Sequence, residues 1–125
     1  MILNISLLPD NYSIYRFKSE SEVPGWVYSS DFYSITKTKD EISVVASQDD
    51  VAAGIISNPD WRVLKIAGPL EFSLIGIIAD VSTTLKDKKI PIFIISTYDT
   101  DYILIKQKDL SSGMKALKEK GHKIH

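Results

Sequence analysis

The stretch Ser96-Thr97-Tyr98-Asp99-Thr100-Asp101 sets two carboxylates and a phenol between the apolar runs PIFII and YILI. Acids two residues apart share a face wherever the backbone is extended. Such a pair suits a guanidinium, which bonds carboxylates through a planar fork of N–H donors. Thr97 and Tyr98 would add a hydroxyl and a ring wall. The same residue types also serve turn geometry and solubility at a hairpin tip, and Asp99 in particular reads as readily as a turn residue.

A second group lies in Ala67-Gly68-Pro69-Leu70-Glu71-Phe72, which leads into a helical pattern. A helix start carries unpaired N–H groups that favour an anion, and Gly68 lets a ligand approach the backbone closely. Pro69 removes one donor and Glu71 would repel a carboxylate. The arrangement fits better with Glu71 facing an ammonium or guanidinium while the N–H groups of Phe72 and Ser73 meet a carboxylate. Backbone donors, an acid and a shaped wall are what a free amino acid requires of its pocket.

Other chemistries find less support. The chain has no cysteine, which excludes disulfides, thiol catalysis and cysteine-ligated zinc. Asp99 and Asp101 are a weak signal for a hard cation. His122 and His125 lie three apart with no evident third ligand and read as a solvated tail, so no metal site is expected. The serines include no G-x-S-x-G, and there is neither a P-loop nor a dinucleotide fingerprint. With no acid–base or nucleophile constellation visible, the sequence predicts no enzyme and no cofactor.

The elements that must position these residues are clearest from residue 61 onward. WRVLKIAG reads as a strand broken at Gly68-Pro69. SLIGIIADVSTTLKDKK reads as a helix with Ser73 as N-cap and Leu74, Ile77, Ile78, Val81 and Leu85 on one stripe. IFIIST and DYILIK form a strand pair across a short turn. A helix starting near Asp109 or Ser111 turns Leu110, Met114 and Leu117 inward and stops at Gly121, and HKIH closes as a short strand. The order is β-α-β-β-α-β, the ferredoxin-like motif of the α+β class, with each helix expected to bring parallel strands side by side.

The first half reads as a worn copy of that order. NYSIYRFK, DFYSITKT and EISVVAS are strand-like, whereas SEVPGWVYSS is too short for more than a turn of helix. Ser47 is expected to cap a short helix through Val51, Ala52, Ile55 and Ile56, stopped by Asn58-Pro59. Trp26 and Trp61 read most simply as packing residues, with lining of an oligomer interface as the alternative. The predicted organisation is two units, residues 1–60 and 61–125, packed side by side.

Composition supports a globular chain. Its 125 residues are 44% hydrophobic and 25% charged. No apolar run approaches the ~20 residues of a bilayer span, and no basic segment followed by an apolar stretch opens the chain, so neither membrane nor export is expected and a cytoplasmic address is the default. Residues 1–60 hold 4 basic and 9 acidic groups, and residues 61–125 hold 11 and 7. Many of the later lysines, such as Lys86, Lys88, Lys89, Lys115, Lys118 and Lys120, fall near helix C-termini, where cations complement the helix dipole. Nucleic acid is therefore not an expected partner.

The strings FYSITKTKDEISVV, DWRVLKIAGPLEFSLIGIIADV and IPIFIISTYDTDYILI resemble the paired ACT domains of Castor-type cytosolic arginine sensors. They are also similar to small bacterial ACT proteins related to the regulatory tail of aspartate kinase. The resemblance covers about residues 30–125 and is weaker over 1–29. It implies two ACT-like units, the first degenerate, and a regulatory, allosteric role in which an amino acid is bound at an interface between units. Arginine or another cationic amino acid is slightly favoured. The matching positions are Gly68 to Phe72 with Thr97, Tyr98 and Asp101, Asp101 being the strongest. The sensors contain two such pairs and this chain one, which implies a homodimer. The alternative is a ligand-free dimerisation or protein-interaction module with the same fold.

Overall fold

The computed structural model describes residues 2–48, 54–67 and 76–125. Along these residues run β1 (Asn4–Leu7), β2 (Tyr12–Phe17), β3 (Ser34–Lys37), β4 (Ile42–Ser47), β5 (Ile56–Ile66), α1 (Ile77–Asp87), β6 (Ile92–Ser96), β7 (Asp101–Lys106), α2 (Leu110–Glu119) and β8 (Lys123–Ile124). The chain divides into two compact units, one of Asp10–Trp61 and the other of Met1–Pro9 with Arg62–His125. The expected split at residue 60 places residues 1–9 with the first unit. In the structure β1 instead pairs antiparallel with β5, Ile5 facing Ile66, and parallel with β8, Asn4 facing Lys123.

The second unit has the α+β, ferredoxin-like order β5-α1-β6-β7-α2-β8, with strands arranged β6-β7-β5-β1-β8. The helices do not bring consecutive parallel strands side by side. β7 lies between β5 and β6, and β5 and β1 lie between β7 and β8. One side of this sheet turns Leu3, Ile5, Leu64, Ile66, Ile103 and Ile105 onto Ile77, Val81 and Leu85 of α1 and Leu117 of α2. Of the helical stripe read from sequence, Ile77, Val81 and Leu85 point where their spacing requires, Ile78 is only partly buried and Leu74 lies outside the described residues; the alternation along each strand supplies the other wall. Gly113 is the point of closest approach. A Cβ there would lie 3.2 Å from Ile105 Cδ1 and 3.5 Å from Leu85 Cδ2. Gly121, at φ 95°, terminates α2 as expected.

In the first unit β2 pairs with β4 from Tyr12–Ser47 to Phe17–Ile42, and β3 adds to the far side of β4. Tyr15, Phe17, Ile42, Val44 and Ala46 pack on Val27, which a short 3₁₀ turn over Gly25–Ser29 carries inward. Trp26 stands edge-on to Tyr15 at 5.2 Å, and Trp61 is buried. Lys37 pairs with Glu20 at 2.5 Å on the surface.

Two expectations about secondary structure fail. Asn58-Pro59 stops no helix, because both lie inside β5, which begins at Ile56. The pairing of β2 with β5 slips between Tyr12 and Ile14, where Asp60 takes φ 67°. A bulge of this kind accommodates a proline and a left-handed residue within a strand. Of the helix predicted there, Val51 and Ala52 lie outside the described residues, as does the predicted cap Ser73 of α1. Nor is His122 part of a solvated tail. It is buried, and its ring bonds Leu3 and Asp80. Among the described residues no helix is long and apolar enough to cross a membrane.

Candidate functional site

The acidic stretch occupies the connection between β6 and β7. Alternating apolar residues pair the two strands from Ile92–Ile105 to Ser96–Asp101, which leaves Thr97–Thr100 to make the turn. The N–H of Thr97 donates to the Thr100 carbonyl at 2.8 Å. The Thr97 hydroxyl donates to that same carbonyl at 3.1 Å and accepts the Thr100 N–H at 3.2 Å. Across the base, Ser96 Oγ donates to Asp101 Oδ1 at 2.5 Å. Two predicted ligand groups, Thr97 and Asp101, are thus engaged within the hairpin.

Tyr98 is 87% exposed and Asp99 is exposed beside it. Asp99 lies in the bend before β7, so the strand alternation that would set it on one face with Asp101 does not apply. Gly68, Glu71, Phe72 and Ser73 lie outside the described residues. The chain leading toward them is fixed on two sides. Thr100, buried, donates its hydroxyl to the carbonyl of Ile66, and the N–H of Ala67 donates to the carbonyl of Asn4 at 2.8 Å. The base of the acidic hairpin is therefore tied to the last residue of β5, two residues before Gly68.

Sequence reasoning missed Thr100 and Ser96 as the residues that organise this turn. Both stand in the quoted stretch, and the T-x-x-T spacing signals a side-chain-to-backbone turn. Among the described residues no group of three or more His, Asp or Glu side chains gathers where a metal ion would sit.

With the geometry in view, comparison with known proteins is informative. A family model described as the ACT domain matches residues 56–119, just over half the chain, and the chain belongs to the ACT domain family. A separate model, described as an N-terminal domain, matches residues 10–54, which begin where the first compact unit begins. Among solved structures, protein Atu0741 from Agobacterium tumefaciens is similar over 100% of this chain and 93% of its own, at 31% identity and a TM-score of 0.92. Protein VC0802 of Vibrio cholerae matches over 94% and 88%, at 18% identity and a TM-score of 0.76. The ligand-free regulatory subunit of aspartate kinase from Thermus thermophilus shares the fold over 95% and 98%, at 13% identity and a TM-score of 0.63.

Proposed function

We propose that this chain is a regulatory ACT protein that binds an amino acid, with arginine or another cationic one favoured, at an interface between ACT units of a homodimer. The observation that carries the reading is the bond from Thr100 to Ile66, which joins the acid-bearing hairpin to the strand end that enters the Gly68–Ser73 segment. The similarity to a regulatory subunit supports a role in sensing. Asp101 would meet the cationic group with its carboxylate, Tyr98 and Thr97 would flank the ligand, and Glu71 would face its ammonium or guanidinium. Gly68, Phe72 and Ser73 would admit its carboxylate to the backbone, and Asp99 would contribute charge. Occupancy would be transmitted only as far as two arrangements of the units differ in affinity.

Thermal-shift measurement against the twenty amino acids tests the proposal. A millimolar ligand of micromolar affinity stabilises the folded state by about 4 kcal/mol, which is a plain shift in melting temperature. Asp101→Asn, which keeps an oxygen for Ser96 while removing the charge, should abolish that shift and leave the ligand-free melt nearly unchanged. A flat response across the panel favours the second reading, a ligand-free interaction module. The exposure of Tyr98 and the local engagement of Thr97 and Asp101 are what that reading rests on.

A further inference from the structure

The sheet of the second unit is closed by a seam between β8 and the chain running from Leu3 into β1. The N–H of Lys123 donates to the Leu3 carbonyl at 2.9 Å, that of His125 to Ile5 at 2.8 Å and that of Leu7 to His125 at 3.1 Å. These bonds end on carbonyls, which no ordinary pH alters. The Leu3 N–H, at the head of the seam, ends instead on Nδ1 of the buried His122 ring at 3.1 Å. The opposite nitrogen, Nε2, meets Asp80 of α1 at 3.0 Å, and the Asp80 side chain is 39% exposed. Solvent therefore reaches the partner of the ring although the ring itself is covered.

An imidazole accepts a hydrogen bond only while one nitrogen is bare, and a second proton makes both nitrogens donors. Such a proton must take Nδ1, where it would confront the Leu3 N–H, donor against donor. At Nε2 the same proton turns a neutral bond to a carboxylate into a charge-assisted one, which is stronger. Protonation thus moves the attachment of the ring from the strand to the helix. Around the ring, α1 contributes Asp80, the end of α2 Lys118, Glu119 and Lys120, and β8 with the residue after it Lys123 and His125. All but Asp80 are exposed, and Asp80 is the group in an ion pair with the ring.

We propose that His122 makes amino-acid binding sensitive to protons through the Leu3 end of this seam. Asn4, the neighbour of Leu3, accepts the Ala67 N–H on its carbonyl at 2.8 Å, and Ala67 immediately precedes Gly68. Release of Leu3 loosens the backbone that holds the entrance to the Gly68–Ser73 segment. Asp80 lies in the first turn of α1, the helix that follows the same segment. Through Leu3 and Asp80 the ring reaches both ends of the segment, and its protonation slackens the first hold while tightening the second. Binding is tightest where His122 is neutral and weakens in acid. The link to binding rests on the proposed function, whereas the coupling of proton to strand does not, so the coupling is tested first and without any amino acid.

Hydrogen exchange of the full chain, followed by NMR, makes that test. As pH falls the ring signals of His122 should titrate, and protection of the Leu3 amide, corrected for intrinsic exchange, should drop about tenfold or more at the same midpoint. Val44, in the sheet of the first unit, should keep its protection. His122→Asn, whose side-chain carbonyl can accept the Leu3 N–H and takes no proton, should leave Leu3 indifferent to pH. Asp80→Asn, which removes the charge that draws the second proton, should carry both midpoints to lower pH together. His125→Ala should leave the response in place. Titration with the best ligand of the thermal panel should then show affinity falling about threefold or more through that midpoint, and staying level in His122→Asn. An unresponsive Leu3 overturns the proposal, as does a loss of protection shared with Val44, which is general acid unfolding, or a response that vanishes in His125→Ala. Affinity that stays level with pH in the wild type overturns the link to binding, and a panel without any ligand overturns the proposed function together with that link.

Discussion

His122 Nε2 lies 3.0 Å from Asp80 Oδ2, while Nδ1 of the same ring accepts the N–H of Leu3 at 3.1 Å. Leu3 and His122 are 119 positions apart, and the ring holds the approach to β1, the start of β8 and helix α1 in one arrangement. With Nδ1 accepting, the ring proton sits on Nε2 and is donated to the carboxylate. His122→Ala leaves the buried Leu3 N–H without its acceptor and should destabilise the protein by about 2–3 kcal/mol, read from urea unfolding at neutral pH. Asp80→Asn preserves an acceptor for Nε2–H and should cost less than about 1 kcal/mol. Equal losses for the two variants would assign the stabilisation to charge.

Thr100→Val should remove the hydroxyl bond to Ile66 while keeping the side-chain shape. Leaving that carbonyl without its partner should cost about 1–2 kcal/mol. Under the proposed function the same variant should also weaken amino-acid binding, because the hairpin would no longer be held to the end of β5. Calorimetric titration with the best ligand of the thermal panel checks this. Unchanged affinity would detach the hairpin from the site.

Lys89→Gly should stabilise the fold by about 1 kcal/mol through relief of the left-handed lysine, read from urea unfolding. An unchanged or lowered stability would mean that contacts of the lysine side chain offset the strain of its backbone.

The Glu20–Lys37 pair gives a prediction in pH. The hydrogen bond and charge of Lys37 hold the Glu20 carboxyl below its ordinary 4.5, and Glu20 raises Lys37 above its ordinary 10.5. The stability contributed through Glu20 is therefore present above pH 4.5 and fades as pH falls through its lowered value. That contributed through Lys37 is present below pH 10.5 and fades as pH rises through its raised value. Lys37→Ala should move the Glu20 titration upward, as followed by carboxyl-carbon NMR, with little change in melting temperature because both groups are solvated. An unmoved titration would mean that the pair does not persist in solution.

Gly113→Leu should destabilise by about 1–3 kcal/mol through overpacking against Ile105 and Leu85. Gly113→Ala adds helix propensity against a single close contact and should fall within about 1 kcal/mol of wild type.

The second unit was legible because its signals are local. The stripe Ile77, Val81, Leu85 and the strand pair IFIIS/DYILIK carry their periods within a few residues. Strand β1 went unread although Leu3, Ile5 and Leu7 alternate, since five residues of alternation say nothing of which distant strand they join. The false helix stop at Asn58-Pro59 arose because breaker residues also sit in bulges. His122 was misplaced for a related reason: its partners are remote in sequence, and no local pattern marks a histidine as buried. At the candidate site the acidic residues were legible by type, whereas the exposure of Tyr98 and the bond from Ser96 to Asp101 depend on how the turn folds back on itself.

The pairing of β1 with β8 has a consequence for how the molecule is made. The unit that carries the acidic hairpin is a host interrupted by a guest, residues 10–61, and its sheet is completed by the earliest strand of this sequence beside the latest. During synthesis the guest can close while the host still waits for β8 to leave the ribosome, and closing so long a loop slows the last step. Any sensing performed by the host is thus withheld until the strand after α2 has been delivered.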